Sequence, residues 1–161
     1  MAHLPTDHSD VPIRLFKSDF LEFFSHISPI TVLVIWLPVA LFFLIWSIAH
    51  APAGGFPVVI PLGFLVGLFL WTLAEYVLPR FLFHMPVKGE KAERIIFLFH
   101  GVHHAQPQLK TRLVMPPVIS IPLAAIFYAL FYLFFAVILK AAQWVAPVFS
   151  AFIFGYLLYD L

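Results

Sequence analysis

Residues 30–49 read ITVLVIWLPVALFFLIWSIA, a run without a single charged side chain. A helix rises 1.5 Å per residue, so such a run covers about 30 Å, the hydrocarbon thickness of a bilayer. Pro38 lies inside it and is expected to kink the helix without ending it, because helices in lipid tolerate proline better than soluble ones do. The rest of the chain has the same character. Hydrophobic residues make up 63% of the 161 positions and charged residues 11%, too little polar surface for a soluble domain.

Three further apolar stretches follow, from about Pro57 to Leu78, from about Pro117 to Leu139, and from about Trp144 to the end. HAPAGGFP, residues 50–57, is short enough only for a tight connection between the first two spans. Lys140 and Gln143 mark a similar turn between the third and fourth. The expected fold is therefore all-α, an integral membrane bundle of four transmembrane helices arranged as two hairpins. Residues 1–29 are expected to form a cytoplasmic tail and an interfacial amphipathic helix. In IRLFKSDFLEFFSHI, 13–27, apolar residues recur near a helical period, although a plain lead-in to the first span fits equally well. Residues 30–161 form the membrane domain. Residues 1–13 are polar and carry no signal-peptide pattern. Gly63 and Gly67 make a small-xxx-small pair, a weak signal for close helix packing.

Charge sets the orientation. Arg14 and Lys17 precede the first span, and Arg80, Lys88, Lys91, Arg94, Lys110 and Arg112 lie between the second and third, whereas the two tight turns hold only Lys140. The positive-inside rule then puts the N-terminus and the 79–116 segment on the cytoplasmic side, and an even number of crossings between them agrees. The net charge of +1 gives no reason to expect a nucleic-acid partner.

The chemistry concentrates in one place. GEKAERIIFLFHGVHH, 89–104, is expected to be a helix too short and too charged at its start to span. His100, His103 and His104 stand at i, i+3 and i+4, which projects all three from one face. His84 lies upstream, at the end of the second span, so four imidazoles can converge just outside the membrane core. Protonated, they would repel one another; neutral, they are metal ligands. His26 and His50 read as isolated interfacial residues, and His3 and His8 as tail residues. Cysteine is absent, which excludes disulfides, iron–sulfur clusters and thiolate-bound haem. All-nitrogen ligation suits iron, zinc or copper, and closed structural zinc sites usually include cysteine. A histidine site at the lip of a membrane bundle points to iron performing oxygen chemistry on something that arrives through the lipid.

WTLAEYVLPRFLFH (71–84), LFHGVHH (98–104), TRLVMPP (111–117), IRLFKSDFLEFF (13–24) and GYLLYD (155–160) resemble the membrane fatty acid hydroxylase superfamily, and within it the fatty acid 2-hydroxylase branch. The resemblance runs over nearly the whole chain from about residue 12. It implies a di-iron, O2-dependent acyl 2-hydroxylase, with His84, His100, His103 and His104 as metal ligands and no catalytic group apart from them. It implies a lipid acyl substrate, membrane lipids around the bundle, and a separate electron donor of cytochrome b5 or ferredoxin type. Two departures stand out. Pro79 occupies the position of the first histidine of the family's first box, and the family's third histidine cluster, expected after GYLLYD, is not within the 161 residues. The chain by itself is therefore expected to be an incomplete, inactive N-terminal portion. Other readings stay open: a non-catalytic membrane metal-binding protein, with zinc as a substitute metal; a structural subunit; or an oxidase of the sterol desaturase or carotenoid hydroxylase type.

Overall fold

The computed structural model describes residues 14, 17–19, 22, 27–83, 89, 93, 97, 101, 105 and 114–160, and every regular element among them is helical. Helix α1 spans Pro29–Ala49 and α2 spans Phe56–Val77, running on into a π-helical turn at Leu78–Phe83. Helix α3 spans Pro117–Phe131 and continues as a π-helical stretch over Tyr132–Ile138. A short turn at Ala142–Trp144 leads into α4, Val145–Asp160. Four helices are thus long and apolar enough to cross a membrane, and the chain is an integral membrane protein.

The helix starts follow local chemistry. Ser28 caps α1 by accepting from the Thr31 N–H, and Pro29 occupies the first turn, where its missing N–H is no loss. Pro38 sits within α1, which continues through it to Ala49. The connection after α1 turns on Gly54, whose φ of +74° suits glycine. The second tight turn is less comfortable, because Lys140 holds φ at +53°. Replacing Lys140 with glycine should raise unfolding stability by roughly 0.5–1 kcal/mol, read from denaturation in micelles. No gain would mean that the lysine makes compensating contacts in the membrane interface.

The bundle is not symmetric. Of the most hydrophobic stretch of each helix, 61% is buried in α4 but only 6% in α3. Helices α1 and α2 each offer one stripe to α4. On α1 the buried residues are Val32, Trp36, Ala40 and Ser47; on α2 they are Val59, Gly63, Gly67 and Ala74, with the same spacing. Both stripes follow the i, i+4, i+8 line of a single helix face. The glycines let α4 close in. A Cβ on Gly63 would lie 2.8 Å from the Pro147 ring, and one on Gly67 would meet the Val148 carbonyl oxygen and lie 2.6 Å from Ala151 Cβ. Ser150 completes the seam by donating to the Ala40 carbonyl at 2.8 Å.

Helix α1 starts at Pro29, and most of the interfacial helix proposed for the residues before it lies outside the described residues. Arg14 and Asp19 in that region form an exposed ion pair, an arrangement of little energetic weight.

Candidate metal-site end of the bundle

Two tight turns close one end of the bundle. The other end gathers the start of α1, the end of α2, the start of α3 and the end of α4, so the chain between residues 84 and 114 leaves and rejoins this one face. The side chains that build this end are aromatic and hydroxylic. Trp36 on α1 donates its Nε1–H to Ser120 Oγ on α3 at 3.1 Å. Tyr156 on α4 donates its hydroxyl to the Met115 carbonyl at 3.2 Å. The Trp36 and Tyr156 rings meet edge to face at 6.0 Å, and Val114 packs into the same core. In an apolar medium each hydrogen bond of this kind is worth about 0.6 kcal/mol, up to about 1.7. Together they pin the returning segment, residues 114–120 with the first turn of α3, onto α1 and α4.

The outgoing side is held differently. Proline has no N–H, and its ring crowds the carbonyl four residues earlier, so the helical register widens where Pro79 enters. The π-helical turn Leu78–Phe83 brings the chain to the residue before His84. The Arg80 guanidinium lies 5.5 Å from the Tyr76 ring centre and 5.8 Å from that of Phe81. Glu75, Tyr76, Pro79 and Arg80 line an open recess there.

The four predicted ligands, His84, His100, His103 and His104, lie outside the described residues, as do His3, His8 and His26. Among the described residues no three His, Cys, Asp or Glu side chains gather into a metal-sized group. His50 stands at the opposite end of the bundle, its ring stacked on Trp46 at 4.0 Å and its Nδ1 3.0 Å from the Trp46 carbonyl.

Sequence reasoning missed the pocket wall. Trp36, Trp71, Met115, Ala124, Phe127 and Tyr156 are among the residues lining a cavity of about 30 Å³ between the helices at the histidine end. Trp71 packs against Phe152, Tyr156 and Tyr159, with its Nε1–H buried and unpartnered among the described residues. The signal was present, since Trp, Ser and Tyr placed within spans have polar atoms that must find partners in lipid. Nothing in the spacing revealed which of them would meet.

No family model matches the chain. Curated relatives do. Fatty acid 2-hydroxylase of Homo sapiens is 38% identical over 168 residues, covering 93% of this chain and 44% of the relative. Dihydroceramide fatty acyl 2-hydroxylase of Arabidopsis thaliana is 34% identical, covering 99% of this chain and 64% of the relative. Ceramide very long chain fatty acid hydroxylase of Saccharomyces cerevisiae is 35% identical, covering 98% and 39%. A solved structure described as full-length scs7p, with only its hydroxylase domain visible, superposes with a TM-score of 0.76 at 36% identity, covering 88% of this chain and 52% of that one. The chain therefore spans less than two thirds of the length of the relatives it matches.

Proposed function

We infer that this chain belongs to the fatty acid 2-hydroxylases, which it resembles along almost all of its length, and we read it as the membrane bundle and histidine segment of an O2-dependent acyl 2-hydroxylase. The observation that carries this reading is identity of 34–38% to several such enzymes over 92–99% of the chain. Substrate, cofactor and partners follow from it. The substrate is a lipid acyl chain, free or amide-linked, taken from the bilayer.

The proposed donor set fits iron in kind, being four imidazoles in a chain that has no cysteine. Nothing in the relatives favours zinc. His84, His100, His103 and His104 would hold the metal, which when bound supplies O2 activation and oxygen insertion at the C–H beside the acyl carbonyl. The chain's own contribution is positional. Tyr156 and Trp36 hold the segment that follows the histidines in sequence, the π-helical turn leads into them, and the aromatic wall offers water few polar partners at this end of the bundle. Four imidazoles leave positions on a pair of metals for other ligands. The positive-inside pattern supports a cytoplasmic N-terminus and cytoplasmic histidines, where a cytochrome b5 or ferredoxin-type donor would dock.

Pro79 favours a second reading, a single metal held without catalysis, because proline offers no nitrogen where the family motif has a ligand. Metal analysis tests both readings at their shared base. The protein purified in nanodiscs should carry iron, and replacing His103 and His104 together with alanine should lower its content at least fivefold while helicity is kept. Unchanged metal in that variant would refute ligation by this segment.

A further inference from the structure

We propose that the cavity at the histidine end is a docking pocket for molecular oxygen, a role that rests on the hydroxylase reading above. Size is the first argument. At about 30 Å³ the cavity offers roughly twice the space that one water requires, which suits a diatomic molecule. Pockets for drug-sized or larger ligands run to roughly 300 Å³ and above, so the tail of an acyl substrate does not fit inside it.

Polarity is the second argument. The lining is nearly all carbon. Trp36 Nε1 is engaged with Ser120, and the Tyr156 hydroxyl with the Met115 carbonyl. Trp71 Nε1 is the buried side-chain donor without a partner among the described residues. A trapped water needs two to four polar partners, and apolar cavities that lack them stay dry and take up apolar guests.

Access is the third argument. Dioxygen dissolves better in hydrocarbon than in water, so the bilayer is its reservoir. Ser120, Leu123, Ala124 and Phe127 form one wall of the pocket and all belong to α3, the least buried helix. Small guests need only side-chain motion there to enter from lipid. Met115, which also lines the pocket, stands just before α3 on the segment that follows the histidines in sequence. The pocket thus has one wall on the most lipid-exposed helix and another on the segment that follows the histidines in sequence.

The test uses the full chain in nanodiscs with nitrogen-15 labelled tryptophan, under several atmospheres of O2 and with argon as reference. Paramagnetic relaxation of the indole N–H signals is the readout, and exposed Trp46 at the far end serves as the internal control. Relaxation at Trp36 and Trp71 should fall at least twofold in Ala124→Leu, which fills the cavity, while Trp46 is unaffected. It should rise in Leu123→Ala, which enlarges the cavity. Equal relaxation in wild type and Ala124→Leu overturns the proposal. Should Ala124→Leu fail to fold, Leu123→Ala decides alone, and no rise at Trp36 and Trp71 overturns it. Metal content tests the hydroxylase reading and relaxation tests the pocket, so the two can fail separately.

Discussion

Replacing Gly67 with valine should destabilise the bundle by roughly 3 kcal/mol or more, at or beyond the upper end of the usual range for overpacking. The reason is what the new side chain meets. A Cβ at this position meets the backbone oxygen of Val148 and lies 3.0 Å from the Phe152 nitrogen, so the obstacle is main chain, which cannot rotate away. Helices α2 and α4 would have to separate along the seam that Gly63, Gly67 and Ala74 create. That separation also strips contacts from Val148, Ala151 and Phe152, all of them buried. In lipid no hydrophobic force drives helices back together, so lost close packing has no substitute. Unfolding in mixed micelles, followed by near-ultraviolet circular dichroism of the tryptophans, measures the effect. Leu65→Ala is the control, because Leu65 is 61% exposed on the opposite face and should change stability little. Equal effects from the two substitutions would mean that the α2–α4 seam is not what holds the bundle.

Installing histidine at Pro79 should tighten metal binding at least tenfold, equivalent to about 1.4 kcal/mol. Pro79 is half-buried in the π-helical turn that precedes His84 and lines the recess with Glu75, Tyr76 and Arg80. The family motif has a histidine at this point, so the substitution adds a fifth imidazole to the proposed set. Proline removal also restores an N–H and relieves crowding of the preceding turn, and Pro79→Ala isolates that contribution. Competition with a chelator of known affinity gives the binding constants. Pro79→His should exceed Pro79→Ala by the stated factor. The same affinity in both would show that position 79 does not face the metal, whatever the motif suggests.

Much of the architecture is legible in the sequence alone. The four spans expected at about 30–49, 57–78, 117–139 and 144 onward correspond to candidate membrane helices at Pro29–Ala49, Phe56–Phe81, Pro117–Ile138 and Ala142–Tyr159. Hydropathy and length decide this in lipid, because a spanning backbone must satisfy its own hydrogen bonds and only a helix of sufficient length does so within one segment. The short connections at 50–57 and around Lys140 then dictate two hairpins, and with them a common face for the histidine segment. The weak Gly63/Gly67 signal also proved to mark a real contact. The candidate ligands were legible only as residue types and spacing.

What the chain by itself determined is how many helices there are, roughly where they begin and end, which ends lie together, and which proteins the motifs resemble. What only the tertiary structure decided is which helix is central and which side chains meet. The four spans are apolar all round, and a uniformly apolar helix gives no indication of the face it will bury. Within a bilayer, shape and hydrogen bonding make that choice, and both are properties of pairs of helices. Gly67 is permissive only because Val148 and Ala151 face it, and Trp36 finds its partner in Ser120, far along the chain.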